Sequence, residues 1–161
     1  DGCSPKRLRT SVYEVMSKLR DANLNDSELL YNWANDSEVR KNAVSKTSLV
    51  FENHVKWFIA KIQSENSRIF ILEIDGLPVG QIRYDLKGGE WTVDYSITSE
   101  LRGRGLGKII LKLSIEYFKN QNVRAFVKEG NISSQRIFIA LGFNQTGKFE
   151  INSELYREFK L

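Results

Sequence analysis

Hydrophobic positions along this chain follow two rhythms, and the points where one gives way to the other mark out the elements. Phe51, Val55, Phe58, Ile59 and Ile62 recur at helical spacing, so residues 50 to 63 read as an amphipathic helix with one buried face. Trp91, Val93, Tyr95 and Ile97 alternate with Thr92, Asp94 and Ser96, the period of a strand with two distinct faces. Residues 68 to 74 and 79 to 84 are β-rich and flank Asp75-Gly76, a strong hairpin turn. Lys87-Gly88-Gly89 makes the next turn, so a three-strand meander is predicted. From Gly105 the helical period returns through Leu106, Ile109, Ile110, Leu113 and Tyr117, ending near Asn120. Residues 123 to 127 read as a further strand. Asn131 caps a last helix carrying Ile132, Ile137, Phe138 and Leu141, closed by Gly142, and two C-terminal strands follow around 143 to 145 and 155 to 161. Upstream, residues 19 to 22 suit a short first strand. Asn25 with Glu28 resembles a capping box opening a helix through Leu29, Leu30 and Trp33, and a second short helix is expected over 36 to 42.

The 161 residues, 41% of them hydrophobic, suffice for one domain with a sizeable core. That domain is assigned to residues 18 to 161, with 1 to 17 as a lead-in or linker. The chain opens on Asp1-Gly2-Cys3 in place of Met, as expected of a fragment, a processed product or the end portion of a longer polypeptide. Lys and Arg number 24 against 20 Asp and Glu, a net charge of +4 that favours anionic ligands without demanding a nucleic-acid partner. Cys3 is the only cysteine and His54 the only histidine, too few for an internal disulfide or a Cys/His zinc site, and no metal is expected. A nucleophile triad relying on histidine would have to use His54. No apolar run approaches a membrane span and no cleavable signal leads the first segment, so the expected compartment is the cytoplasm.

Candidate chemistry concentrates at Arg102-Gly103-Arg104-Gly105-Leu106-Gly107, between a strand and a helix. Missing side chains there let backbone N–H groups converge on an anion at the positive end of the helix, and two arginines add charge-assisted donors. The spacing is not that of a nucleotide-triphosphate loop, because Lys108 is followed by Ile109 where Ser or Thr is required. Nor is it a dinucleotide fingerprint, which needs glycine at 108 and a parallel βαβ unit. The plain alternative is a tight turn with solvated arginines.

Arg102 to Gly107 matches the Gln/Arg-x-x-Gly-x-Gly/Ala motif, and with the meander before it and the Asn-led helix from Asn131 to Leu141-Gly142-Phe143 after it, the chain resembles the GNAT superfamily of N-acetyltransferases over residues 18 to 161. The resemblance implies an α/β (α+β) fold: a mostly antiparallel mixed sheet of six to seven strands flanked by helices, splayed between the fourth and fifth. It implies acetyl-coenzyme A as co-substrate. Its pyrophosphate would lie on the amides of Arg102 to Lys108 and its pantetheine arm along the strand ending near Ile97, which parts from the strand at Val127. Asn131, Ser134 and Phe138 match further coenzyme-facing positions. Asn32-Trp33, Asn35 to Lys41 and His54 to Phe58 look like the branch that acetylates the 4-amino group of a nucleotide-linked sugar in pseudaminic acid synthesis, with Ala34 where a typical member has Arg. That implies substrate contacts at Trp33, Arg40 and His54. Asp1 to Arg7 also looks like the tail of the nucleotide-sugar hydrolase acting one step later.

Acetyl transfer needs a neutral amine, an oriented thioester and a route for protons. A lysine with pKa ~10.4 is about a thousandth neutral near pH 7.4, whereas an amine near ~8 is substantially neutral, and an amino-sugar nitrogen should resemble the second. Asp94, Glu90 and Glu73 are the carboxylates placed around the central strands. Asp94 is chosen as base because it shares a strand face with Ser96; a solvated or ion-paired carboxylate is the competing reading for each. His54 has a structural alternative as a histidine on a half-buried helix. Phe138 stands where many relatives place a thiolate-protonating tyrosine, which leaves Tyr95 or Ser134 as donor, or unaided departure of the thiolate. Trp33, Trp57 and Trp91 read as core, with one ring free to stack on substrate. The expected partner is a small-molecule amine and not a membrane or nucleic acid, with the chain a monomer or homodimer. Protein N-terminal acetylation, a non-catalytic acyl-coenzyme A sensor and a nucleic-acid binder are the alternatives.

Overall fold

The computed structural model describes residues 12 to 161. The hydrolase-like Asp1 to Arg7 lies outside the described residues, as does most of the expected lead-in. Residues 12 to 16 form a helical turn, from which Tyr13 packs against the core and Glu14 pairs with Lys112.

Seven strands build one sheet in the order β1-β2-β3-β4-β5-β7-β6. They are β1 (Ser17–Asp21), β2 (Ser67–Ile74), β3 (Leu77–Lys87), β4 (Glu90–Ile97), β5 (Val123–Lys128), β6 (Asn144–Ile151) and β7 (Glu154–Lys160). The helices are α1 (Ser27–Ala34), α2 (Ser37–Asn42), α3 (Phe51–Gln63), α4 (Leu106–Ile115) and α5 (Ile132–Ala140). All strand pairs are antiparallel except β4 with β5, whose parallel register holds only Trp91 to Val123 and Thr92 to Arg124 before the strands part. The predicted mixed sheet and its splay are therefore present.

The meander forms for local reasons. Asp75 and Gly76, at φ 52° and 76°, turn β2 into β3, and Gly88 and Gly89, at φ 60° and 80°, turn β3 into β4. Two central residues with positive φ match the right-handed twist of the flanking strands. The sheet divides the core. On one face α4 lays Leu106, Ile109, Ile110 and Leu111 onto Ile82, Tyr84, Trp91 and Val93. On the other α1 and α3 bring Leu30 and Phe58 onto Ile69 and Ile71. Tyr84, with no exposed surface, satisfies its hydroxyl on Ser114 Oγ at 2.7 Å.

Several boundaries differ from expectation. The capping box sits two residues earlier: Asn25 N–H donates to Asn23 Oδ1 and Asn23 N–H to Asp26 Oδ2, closing a 3-10 turn over Leu24–Asp26 before α1 starts at Ser27. The first strand likewise starts earlier, at Ser17, carried by pairing with Ile74. The apolar stripe of α4 does not run on to Tyr117, which is half-exposed. The chain tightens to 3-10 over Glu116–Phe118, advancing the phase so that Phe118 turns in and stacks on Tyr84 at 3.9 Å. Ile132 on α5 faces outward, leaving Phe138 as the buried anchor. Trp91 is core, but Trp57 is 36% exposed beneath an arginine instead of joining it.

Candidate active site

Where β4 and β5 part, the sheet has a gap with unpaired backbone on both banks. Trp91 N–H donates across to Asn122 O, while Thr98 N–H donates back to Val79 O on β3. By strand alternation the odd residues of β4 aim their backbone groups at β5, so Tyr95 N–H and C=O face the gap. On β5, Val123 O accepts from Leu161 N–H just past β7, so the even residues face β4 and Phe126 presents its backbone to the opening. Gln135, buried on α5, closes the far end: its Nε2 donates to Lys128 O at 3.0 Å and Glu129 O at 2.8 Å. An extended polar arm laid in the gap would find donors and acceptors spaced as an additional strand would.

At the open end, Gly103 and Gly105 adopt φ 75° and 83°, left-handed conformations that cost an L-residue about 1 to 2 kcal/mol. Gly105 is the N-cap of α4 and offers no side-chain cap, so the first-turn N–H groups, including those of Gly107 and Lys108, point out of the helix toward the loop. A Cβ on Gly103 would meet nothing within 4 Å, so the outer side of the nest is open. Gly107 serves packing instead. A Cβ there would come within 3.0 Å of Tyr95 Cε2 and Ile137 Cδ1, so only glycine lets α4 seat this close to β4. The loop and Leu106 to Lys108 thus fit a phosphate group. Arg104 and Lys108 lie at its exposed rim, Arg104 also donating to Tyr13 Oη at 3.1 Å. Arg102 is engaged differently: its Nε donates to Ile97 O at 3.0 Å and its Nη2 to Asp36 Oδ1 at 2.6 Å. It ties the end of β4 to the N-cap of α2, beside a cavity of about 270 Å³ lined by Trp33, Asp36, Ile97 and Arg102.

Successive strand residues point to opposite faces, and this separates the expected catalytic trio. Tyr95 lies on the α4/α5 face, where its hydroxyl donates to Ser134 Oγ at 3.2 Å and its ring sits 6.0 Å from that of Phe138. Burial pushes the Tyr95 phenol up to about 12, so it stays protonated at neutral pH. Ser134 is held in the first turn of α5 by its own N–H, donating to the capping Asn131 Oδ1. Phe138, nearly fully buried, packs edge-on against Phe143 and stacks over Phe159.

Asp94 occupies the other face, with 67% of its side-chain surface accessible. The surrounding protein raises its pKa above the ordinary carboxylate range, against the attraction of Arg83 and Arg40. Arg83 is its cross-strand partner, Nη2 3.9 Å from Oδ2, and is fixed by Asp85 at 2.8 Å and by Trp57, whose ring centre lies 5.1 Å from the guanidinium carbon. His54, buried on α3, lies between Tyr31 and Trp57, and burial followed by the Arg40 and Arg83 charges lowers its pKa, keeping the ring neutral at pH 7. His54 Nδ1 and Arg40 Nε are buried without a partner among the described residues. Glu90 and Glu73 are committed elsewhere, Glu90 to Arg124 and Lys160 and Glu73 to Arg20.

Of the expected substrate residues, Arg40 and His54 share the Asp94 face, whereas Trp33 sits by the Arg102 cavity. Arg83 and Gln135 are not among the residues expected from the sequence, which places Trp57 in the core with one ring of the three tryptophans free to stack on substrate. Arg83 was recoverable from the Gly88-Gly89 hairpin, since counting back from the Lys87 to Glu90 pair places Arg83 opposite Asp94. Among the described residues no helix is long and apolar enough to cross a membrane, and no three His, Cys, Asp or Glu side chains cluster as metal ligands.

Comparison with known proteins agrees with this geometry. A family model described as an acetyltransferase (GNAT) domain matches residues 18–144. No curated protein matches the chain. Among solved structures, the spermidine N-acetyltransferase from Vibrio cholerae in complex with CoA and spermine superposes with a TM-score of 0.82 at 16% identity, over 91% of this chain and 95% of that one. The aminoglycoside acetyltransferase AAC(6')-Ib in complex with coenzyme A gives 0.77 at 16% identity, over 90% and 94%. A domain from Methanocaldococcus jannaschii gives 0.76 at 26% identity, over 90% and 98%. With the splayed sheet, the uncapped glycine loop and a family model spanning most of its length, the chain belongs to the acetyltransferase (GNAT) domain family and is an acetyl-CoA-dependent N-acetyltransferase.

Proposed function

We propose that the acceptor is a small molecule bearing both a primary amine and acid groups, the 4-amino group of a UDP-linked 4-amino-4,6-dideoxy sugar, acetylated by direct attack in a ternary complex. The observation that carries this reading is the composition of the Asp94 face. One accessible carboxylate able to take an amine proton stands beside two arginines, Arg83 and Arg40, and the partly exposed Trp57 that Arg83 covers. Arg83 and Arg40 repel a polycationic amine, whereas the phosphates of a nucleotide-linked one are drawn to them. The segments resembling the amino-sugar branch build this same face: Asn35 clamps Leu49 through both its amide groups, at 3.2 and 2.8 Å, and His54 to Phe58 form one side of it.

In this scheme the amides of Gly103 to Lys108 hold the pyrophosphate, with Arg104 and Lys108 at the rim. The Tyr95 and Ile97 end of β4 carries the pantetheine arm, and Asn131, Ser134 and Phe138 form its far wall. The co-substrate enters from the α4/α5 side and the amine from the α1 to α3 side, meeting through the gap. Asp94, with its raised pKa, accepts the amine proton directly or through one water.

Coenzyme A release measured with thiol reagent should show turnover on the UDP-linked amino sugar and none on spermidine, an aminoglycoside or short peptides with free N-termini. Turnover on peptides alone would transfer the chain to protein N-terminal acetylation. Coenzyme binding with no turnover on any amine would make it a sensor.

A further inference from the structure

Breaking the thioester leaves a thiolate, and its protonation is a task the Asp94 face cannot perform, because Asp94 lies across the sheet and is occupied with the amine proton. Phe138, whose ring is packed between Phe143 and Phe159, has no proton to give. Among the described residues, two hydroxyls meet on the α4/α5 side of the gap, Tyr95 Oη and Ser134 Oγ. Tyr95 projects from the bank whose backbone is unpaired, its ring wedged against Gly107 in the first turn of α4 and its Oη donating to Ser134 Oγ in the first turn of α5. An arm running from the Gly103 to Gly107 nest into the gap would pass between those two helical turns.

We infer that Tyr95 and Ser134 form a two-hydroxyl relay that protonates the departing thiolate, with Ser134 the catalytic residue next to sulfur and Tyr95 the donor behind it. The direction of the observed hydrogen bond already suits this. Tyr95 donates to Ser134, which leaves the Ser134 proton free for another acceptor. The neutral amine nitrogen bonds to the acetyl carbon, and the C–S bond breaks with its electron pair going to sulfur. The Ser134 proton passes to sulfur while the Tyr95 proton passes to Ser134 Oγ, and the amine proton passes to Asp94. The tyrosinate then recovers a proton from solvent and Asp94 loses one to it. Burial makes the Tyr95 anion a strong base that takes its proton back from solvent, and the raised phenol pKa keeps Tyr95 protonated at neutral pH before the step.

The inference rests on the amine-acetylation reading but not on the sugar, so the test uses whichever amine the wild type turns over best. A wrong acceptor then shows in the wild-type panel, and a wrong donor shows only in the variants. Tyr95→Phe keeps the ring that seats Gly107 and should lower kcat at least tenfold, with the acetyl-coenzyme A dissociation constant, read by tryptophan fluorescence, within about threefold of wild type. Ser134→Ala should lose a similar factor and Ser134→Thr, which keeps a hydroxyl, should retain most of kcat. Because the two hydroxyls act in series, the double variant Tyr95→Phe/Ser134→Ala should be no slower than the worse single one. A kcat for Tyr95→Phe within twofold of wild type, losses that multiply in the double variant, or a threonine variant as slow as the alanine one would overturn the relay.

Discussion

Asp94→Asn should lower kcat by a factor of about 100 or more on the preferred amine, with little change in coenzyme affinity, because it removes the proposed general base while leaving the loop and the gap intact. The pH profile identifies the cause. Desolvation by the surrounding protein raises the Asp94 pKa in the wild type, so activity should decline as pH falls and the carboxylate protonates. The midpoint of that limb should lie above ~3.9, the ordinary aspartate value. The asparagine variant has no such limb. Arg83→Gln should shift it further up in pH, since Arg83 is the charge holding Asp94 down. An Asp94→Asn variant that keeps the wild-type limb would place the base elsewhere.

Asp36→Ala should combine a stability loss with a kinetic one. Asp36 Oδ1 accepts from Glu38 and Val39 N–H as the N-cap of α2 and also takes Arg102 Nη2. Losing such a cap costs about 0.5 to 2 kcal/mol, and leaving Arg102 half-buried and unpaired adds to it, so about 2 kcal/mol is expected from the urea midpoint. Burial alone would raise the Asp36 pKa, but the hydrogen bonds from Arg102 and Val39 hold it below the ordinary value. A group depressed in this way stabilises the fold above its unfolded pKa and ceases to as pH falls through the folded one. The variant should therefore lose less stability than wild type between about pH 4 and pH 2. Arg102 also anchors Ile97 O, so the end of β4 should loosen and the KM for acetyl-coenzyme A should rise severalfold. An unchanged urea midpoint would show that the cap and the pair contribute nothing net.

What could be read from the residues alone followed from periodicity and turn chemistry. The alternation from Trp91 to Ile97 assigned both faces of β4, and Gly88-Gly89 with Asp75-Gly76 joined the meander as the structure has it. The glycine loop was legible because its spacing constrains backbone amides, which no neighbour can override. Features set by tertiary context were not. Nothing local tells that β7 inserts between β5 and β6, since both strands are joined by a turn at Asn152 and Ser153 that suits either order. Helical phase could not anticipate the 3-10 step that exchanges Tyr117 for Phe118. Trp57 looked like core by residue type, but Arg83 from another element covers its ring and leaves it at the rim of a cleft. The split of Asp94 from Tyr95 was implicit in the alternation, yet its meaning depends on the gap through which the two faces communicate.

That gap has a mechanical consequence. Only two residue pairs join the β1 to β4 half of the sheet to the β5 to β7 half along the strands. Along their backbones the two halves are therefore moored at one end, while α4 and α5 pack across both. A bound arm that bridges Tyr95 and Phe126 would act as a removable plank between them, lending the sheet a continuity its own polypeptide omits. Each catalytic cycle would then end with the protein slightly less of a sheet than while it worked, and product departure would draw part of its ease from that loosening.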